Sequence, residues 1–337
     1  MKTFSYLMLC VAFFCNSCSQ NSATTVQGNA QTVTEQVSTT EKSKVYLTRE
    51  ISSAALVKIY NALGRKAEGK VAVKISTGEA GNNNYLKPEL IKDLVETVGG
   101  TIVECNTAYA GKRMTFKEHW QTIQDHGFTP MFKVDLMDEE GEFEIPVKDS
   151  SNIKSDIVGL HLKNYDFMIN LAHFKGHPMG GLGGVLKNAS IGVASANGKA
   201  NIHTAGYQKV VEGMWQHVDN QDGFLESMAA AAQAVHNYFY GGKKILYIAV
   251  MNNVSVDCDC VATPEEVKIK DYGILASLDP VALDKACVDI IFNMTPENGS
   301  DNAPLKERIT SRHGIHTIEH AEKIGLGSTN YEIISID

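Results

Sequence analysis

The sequence lacks several features that common functional classes require. It holds 31 Lys and Arg against 39 Asp and Glu, a net charge of −8, whereas a nucleic-acid-binding domain usually carries a basic surface. The motifs of nucleotide-binding loops, dinucleotide-binding turns, serine hydrolases and zinc metalloproteases, which are GK[ST], GxGxxG, GxSxG and HExxH, do not occur. We therefore expect no nucleic-acid partner and none of these active sites.

Cysteine is also scarce. Seven cysteines are present, and three of them, at positions 10, 15 and 18, lie in the N-terminal segment. The four that remain in residues 45–337 are too few for a disulfide framework. They also lack the close Cys-x-x-Cys runs of a ferredoxin module, so a ferredoxin-type iron–sulfur cluster is not expected.

Long apolar runs are confined to the N-terminus. Residues 4–14 are almost wholly apolar and follow a charged start, and Ser17 directly precedes Cys18, which is the order of a signal peptide with a lipidation site. We predict a signal peptide over residues 1–18 with Cys18 lipidated, followed by a polar, flexible tether over residues 19–44. The protein would then be exported to the cell envelope and touch the membrane through its lipid anchor only. Plain secretion is the alternative.

The rest of the chain alternates strand patterns with helical ones. Short apolar runs at residues 70–75, 101–105, 166–174 and 244–251 predict strands, and helical spacing lies between them. Strand–helix–strand units imply parallel pairing with right-handed crossovers. The prediction is an α/β fold with a largely parallel sheet and flanking helices. It forms a single compact unit over residues 45–337, with two intertwined subdomains as a variant.

A glycine-rich segment follows the third of these predicted strands. Five of the nine residues from Gly176 to Gly184 are glycine, and a helix is predicted after them. Ligands of α/β proteins collect beyond the carboxyl ends of strands, where glycine permits close approach and helix N-termini attract anions. The residues predicted to bind a ligand are Gly180, Gly181, Gly183, Gly184, Lys187 and Asn188. A tight turn whose glycines serve packing is the alternative.

Three side chains of the same segment alternate along the chain. His173, Lys175 and His177 share one face if the backbone is extended, and together they suit a metal, a carboxylate or a phosphate. The alternative is that the histidines only bond the backbone.

The run Asp257-Cys258-Asp259-Cys260 follows the strand predicted at residues 244–251. A Cys-x-Cys pair ligates zinc or iron when further ligands complete the set. The predicted ligands of such a metal ion are Cys258, Cys260, His173 and His177. A disulfide between the two cysteines, or two thiols without a role, are the alternatives. The candidate catalytic residues are Lys175, His177, Asp257 and Asp259, the aspartates as acid–base groups.

Other cysteines and histidines have simpler interpretations. Cys105 and Cys287 fall in apolar patterns typical of a core. His316 and His320 stand four residues apart near a predicted helix start, together with His313, a spacing that permits metal binding but more often reflects a solvated surface.

These segments resemble the domain-of-unknown-function 362 family. The resemblance rests on the run INLAHFKGHPMGGLGGVLKNASIGVAS and on DCDCVATPEEVKIKDYGILASLDPVALDKACVDII, and it covers roughly residues 45–335. Its motif positions here are Lys175, His177, Lys187, Asn188 and Gly192. The resemblance implies an uncharacterised iron–sulfur-centre protein. This chain departs from it in lacking the ferredoxin module and in having Asp257 where His is frequent.

The predicted function is an exported lipoprotein with a metal- or anion-binding site at strand ends, either a redox protein or a metal-dependent enzyme. Its partner would be a small anionic molecule. The alternative is a non-catalytic envelope protein that binds a small anionic metabolite.

Overall fold

The computed structural model describes residues 41–263, 266–295 and 300–337. The predicted signal peptide, Cys18 and nearly all of the tether lie outside the described residues. The first strand begins at Ser43, two residues before the predicted start of the folded body. Within the described part of the chain, no helix combines the length and the apolar composition needed to cross a membrane.

Twelve strands and nine α-helices lie in the described residues. The strands are β1 Ser43–Thr48, β2 Val71–Lys74, β3 Thr101–Glu104, β4 Val134–Leu136, β5 Glu142–Pro146, β6 Ser155–Gly159, β7 Phe167–His173, β8 Lys175–His177, β9 Gly181–Gly183, β10 Ile245–Met251, β11 Gly273–Ser277 and β12 Tyr331–Ser335. The helices are α1 Ser53–Ala62, α2 Pro88–Val98, α3 Phe116–Asp125, α4 Val185–Ala189, α5 Ala196–His203, α6 Gln221–Tyr238, α7 Pro280–Asn293, α8 Ala303–Ser311 and α9 Ile315–Lys323.

Eight strands form one sheet in the order β12-β1-β11-β10-β7-β2-β3-β4. Neighbouring strands are parallel except where β11 pairs with β1 and with β10. Strands β7 and β10 lie side by side, and all seven residues of each are buried. Burial on both faces explains their continuous apolar runs, because helices cover both sides of such a sheet. The predicted α/β class with a largely parallel sheet is confirmed.

Local sequence signals account for the ends of several helices. Helix α7 begins at an N-cap residue, Asp279, whose side chain accepts hydrogen bonds from the backbone N–H groups of Val281 and Ala282, and Pro280 stands in the first turn. Helix α2 ends at Gly99, which adopts the left-handed conformation that glycine tolerates best.

Two segments differ from the predicted elements. The apolar pattern of residues 157–162 is typical of a strand, but the strand lies earlier, as β6, and residues 160–164 form a 3-10 helix. The glycine-rich segment is a hairpin of β8 and β9 rather than an open loop. Gly176 in this hairpin packs so closely on the chain that a Cβ atom there would overlap the carbonyl of Val256. Glycine is therefore a packing requirement at this position.

Candidate functional site

A cavity of about 270 Å³ opens beyond the carboxyl ends of the central parallel strands. Lys74 at the end of β2, Glu104 at the end of β3 and His173 at the end of β7 reach it directly. The β8–β9 hairpin, helix α4 and the loop after β10 close its sides. Parallel strands bring their carboxyl ends to one edge of a sheet, which is why segments far apart in sequence meet here.

Positive side chains dominate the walls of this cavity. Five cationic side chains line it against two carboxylates, which are Glu104 and Asp259. The five are Lys74, Arg113, Lys175, Lys187 and Lys199. Apolar side chains of Ile191, Met214 and Trp215 complete the wall, so the cavity suits an anion that carries a carbon skeleton.

Asp259 is bonded on both sides by cavity residues. Its carboxylate accepts from His173 Nδ1 at 2.9 Å and from Lys175 Nζ at 2.7 Å. Burial opposes its ionisation, but the charges and hydrogen bonds of His173 and Lys175 outweigh burial and hold the pKa of Asp259 well below its usual range. In this arrangement Asp259 is a fixed anion rather than a group that exchanges protons near neutral pH.

The structure places Asp257, the other candidate acid–base group, elsewhere. Its carboxylate forms an ion pair with Arg308 of helix α8, and it does not line the cavity. An extended run would place Asp257 and Asp259 on one face, but the chain turns at residues 257–260 and sends the two carboxylates to different surroundings.

His177 lines the cavity with a fixed tautomer. Its Nδ1 accepts hydrogen bonds from the backbone N–H groups of Met179 at 3.2 Å and Gly180 at 2.8 Å. Burial, together with the nearby charge of Lys187, keeps the pKa of His177 well below its ordinary value, so the ring is neutral. Because Nδ1 is an acceptor, the single ring proton resides on Nε2, which is a donor.

The four predicted metal ligands are only partly brought together. One atom each from His177, Cys258 and Cys260 lies within 4.8 Å of the other two. His173 is not in this group, since its Nδ1 faces Asp259 and its Nε2 faces the carbonyl oxygen of Asn252 at 2.6 Å. Both nitrogens of His173 therefore face oxygen atoms of the protein, and neither is directed at Cys258 or Cys260.

Cys258 and Cys260 form a disulfide. Metals bind thiolates, so this pair offers no thiolate ligand in the oxidised state. The two remaining cysteines of the described chain, Cys105 and Cys287, are buried free thiols whose pKa burial raises well above the ordinary value. The iron–sulfur centre that the family resemblance implied does not fit these donors, because such a cluster needs several thiolates together.

Lys187 is the exception among the cationic side chains of the cavity. Its Nζ makes no hydrogen bond or ion pair with any residue that the structure describes, whereas Lys175 bonds Asp259 and Lys199 bonds the carbonyl of Ala194 at 2.6 Å. Burial, and next the charge of Lys175, lower the pKa of Lys187 to about 7. An amine with that pKa is about half protonated at neutral pH.

Helix α4 holds Lys187 in place through a buried carboxylate. Asp284 of α7 accepts from the backbone N–H groups of Val185 at 2.8 Å and Leu186 at 2.9 Å, at the start of α4. Gly184 lies so close that a Cβ atom there would overlap the carboxylate of Asp284. The glycine thus lets the carboxylate reach the helix terminus.

The other residues predicted to bind a ligand divide into two groups. Gly183 and Gly184 line the cavity, whereas Gly180 in the turn of the hairpin and Gly181 at the start of β9 lie outside it. Asn188 also lines the cavity, but its Nδ2 donates to the Lys74 carbonyl at 2.9 Å and to Asn170 Oδ1 at 2.7 Å. Asn188 therefore joins α4 to strands β2 and β7.

Sequence reasoning missed a buried charged cluster on one wall. Glu104 bonds Arg113 Nη1 at 3.2 Å and His119 Nε2 at 3.2 Å. Burial raises the pKa of Glu104, but His119 and Arg113 outweigh it, and the carboxyl stays ionised. Lys74 and Glu104 stand at the ends of apolar strands. Charged residues are rarely buried without a partner, so a charge in an apolar run could have marked these two residues as part of a site.

These features define an α/β protein with a cationic cavity at the carboxyl edge of a parallel sheet. The chain belongs to the family described as a domain of unknown function, DUF362, which matches residues 71–289. The predicted family resemblance is confirmed. No curated protein matches the chain.

Two solved structures are distantly similar. One is the lactate racemase apoprotein from Thermoanaerobacterium thermosaccharolyticum, with 13% identity and a TM-score of 0.40 over 73% of this chain and 56% of that one. The other is a protein from Thermotoga maritima, with 15% identity and a TM-score of 0.39 over 66% of this chain and 54% of that one. This chain thus spans little more than half of either.

The Asp284→Ala substitution should destabilise the protein by about 2–4 kcal/mol, because it leaves two buried N–H groups of α4 unpaired. Urea unfolding measures the change. Asp289→Ala on the same helix is the matched control, and a loss of about 1 kcal/mol or less is expected because its partners Lys285 and Tyr331 can turn to water. Equal losses in the two variants would contradict this role of Asp284.

Proposed function

We propose that this protein is an exported, lipid-anchored member of its family that binds a small organic anion in the cavity at the sheet edge. The observation that carries the proposal is that the Lys187 amine has no partner among the described residues. It lines a cavity with more cationic than anionic side chains. Lys187 is only partly buried, so its amine meets the open space of the cavity, where the anionic group of a ligand could accept a hydrogen bond from it.

The donors around Lys187 favour an anion over a cation. His177 has only an Nε2–H to offer, since its Nδ1 already accepts two backbone N–H groups. Arg113 is held by Glu104 and Tyr109, and its Nε lies 3.6 Å from Glu79 Oε2, so it adds positive charge to the cavity rather than a free donor. A carboxylate beside Lys187 and His177 would receive charge-assisted hydrogen bonds from both.

The walls indicate the class of the anion. A volume of about 270 Å³ suits a small molecule, and the side chains of Met214, Trp215 and Ile191 give it apolar contacts. A short carboxylic acid, or a comparably small phosphorylated compound, fits both the charge and the apolar surface.

An enzymatic function is the second candidate, and the pKa of Lys187 near 7 favours it. An amine that is partly neutral at working pH is suited to take a proton from a bound substrate, and the cavity would hold that substrate against it.

A metal-dependent variant of this enzyme rests on the grouping of His177 with the two cysteines. It requires reduction of the Cys258–Cys260 disulfide and an exchange of the His177 tautomer. Zinc or iron found by elemental analysis only in reduced protein, and lost in Cys258→Ser, would favour this variant over anion binding.

Replacing Lys187 by Gln should weaken binding of short mono- and dicarboxylates by about tenfold or more, because a charge-assisted hydrogen bond contributes roughly 1.5–3 kcal/mol. Isothermal titration calorimetry measures the dissociation constants. Lys209→Gln, an exposed lysine paired with Glu144, is the matched control and should bind as the unaltered protein does. Unchanged affinity in Lys187→Gln would remove the main support of the proposal.

Binding should also depend on pH in a defined direction. The free amine has a pKa of about 7, and an anion beside it raises that pKa, so binding takes up a proton. The dissociation constant should be flat below about pH 6 and should rise towards tenfold per pH unit above about pH 7. The same titration in Lys187→Gln should show a flat profile, and a flat profile in the unaltered protein would contradict the assignment.

The envelope location has its own test. Metabolic labelling with a radioactive fatty acid should mark the unaltered protein, and Cys18→Ser should remove both the label and the membrane association. Cys15→Ser is the matched control, since Cys15 lies in the same segment before the predicted cleavage. Label retained in Cys18→Ser would place the anchor elsewhere.

A further inference from the structure

A second group of metal-ligating side chains lies outside the cavity. Glu226 of helix α6 and the two histidines His316 and His320 of helix α9 each bring one ligand atom within 4.8 Å of the other two. None of the three lines the cavity. The histidines are four residues apart on one helix, so they project from the same face, and their ring centroids are 6.1 Å apart.

The carboxylate of Glu226 is the centre of the group. Its Oε1 lies 3.3 Å from His316 Nε2 and 3.5 Å from His320 Nδ1. Zinc bound by nitrogen and oxygen ligands at about 2.0–2.1 Å in a tetrahedron separates those ligands by roughly 3.3–3.4 Å. The two separations from Glu226 Oε1 therefore match edges of a zinc coordination tetrahedron, and the two histidine nitrogens lie within 4.8 Å of each other.

Outer partners orient these ligands as they do in known metal sites. Asp149 Oδ2 accepts from His320 Nε2 at 2.7 Å, which places a proton on Nε2 and directs Nδ1 towards Glu226. Asn152 Nδ2 donates to Glu226 Oε2 at 2.9 Å and leaves Oε1 facing the histidines. A carboxylate that holds the far nitrogen of a ligating histidine is a regular feature of zinc centres.

One atom of the group has no partner, and it is deeply buried. His320 is 5% exposed, and its Nδ1 makes no hydrogen bond within the described part of the chain. The nearest carboxylate oxygen, Glu226 Oε1, is 3.5 Å away, beyond the usual range of an N–H···O bond. A cation placed between His320 Nδ1 and Glu226 Oε1 would be bound by both atoms.

We propose that Glu226, His316 and His320 bind a divalent cation of the zinc class, with water as the fourth ligand and Asp149 as the positioning residue of His320. The cation would link α6 to α9 directly, which gives it a structural role. Imidazole and carboxylate ligands without thiolate suit Zn²⁺, and Co²⁺ reports the same geometry through its absorption spectrum.

The test uses the full-length protein freed of metal with a chelator and then titrated with Zn²⁺ or Co²⁺. We expect one equivalent to bind in this site, with a tetrahedral Co²⁺ spectrum that lacks a thiolate charge-transfer band, and a rise in melting temperature that depends on metal concentration. The Cys258→Ser/Cys260→Ser double variant should behave in the same way. This keeps the result independent of the anion cavity and of any metal at the cysteines.

Substitutions assign the ligands. His316→Ala should weaken Co²⁺ binding about a hundredfold or more, and Asp149→Asn about 10–100-fold. His313→Ala is the matched control, because His313 is exposed in the same segment and pairs with Asp222 away from the group. Glu226→Gln can still accept the hydrogen bond from Asn152, so it should fold, and it should also weaken Co²⁺ binding. This variant tests the site if a histidine variant fails to fold.

Two outcomes would overturn the proposal. The first is an absence of Co²⁺ or Zn²⁺ binding at about millimolar metal, which would mean that a proton on His320 Nδ1 takes the place of the cation. The second is binding with equal affinity in the unaltered protein, His316→Ala and Glu226→Gln, which would place the metal elsewhere.

Discussion

The buried carboxylate of Asp259 holds the cavity together. It joins the loop after β10 to His173 at the end of β7 and to Lys175 of the hairpin, while its own backbone carbonyl accepts from the N–H of Glu79 in the loop after β2. A buried ion that lost these partners would be strongly destabilising, so the three segments are fixed relative to one another. The rest of the site depends on this arrangement. The Asp259 carboxylate balances the charge of Lys175, and Lys187 remains as the amine without a partner among the described residues.

The site concentrates positive charge on side chains that are mostly buried. Burial and mutual repulsion bring the pKa of Lys187 down to about 7, and that of Lys74 to about 8. Holding such groups close together in a cavity lowers the free energy of unfolding. A bound anion would relieve the repulsion between them and so bind more tightly. A cavity with this electrostatic character is suited to selecting small anions and to shifting protons on them.

The residues singled out by motif turn out to have different tasks. Asn188 ties α4 to two strands, Gly176 and Gly184 make room for backbone and for Asp284, and His173 supports Asp259. Among these motif residues, only Lys187 and His177 present donors to the cavity that no described residue accepts. A motif gives residue types in order along the chain, but it does not distinguish a residue that contacts a ligand from one that supports its neighbour.

The sequence by itself determined the fold class. Apolar runs predict strands such as β7 and β10, and capping residues such as Asp279 predict where helices such as α7 begin, and these are local signals. It also determined the family, because the motif residues are contiguous. The sequence left the choice between a disulfide and metal-binding thiolates at Cys258 and Cys260 open, and the structure shows the disulfide. Only the tertiary structure decided that Lys74 and Glu104 share the cavity wall and that Glu226 meets a histidine pair some ninety residues away. Those two pairings depend on strand order and helix packing, which act over distances that no local pattern encodes.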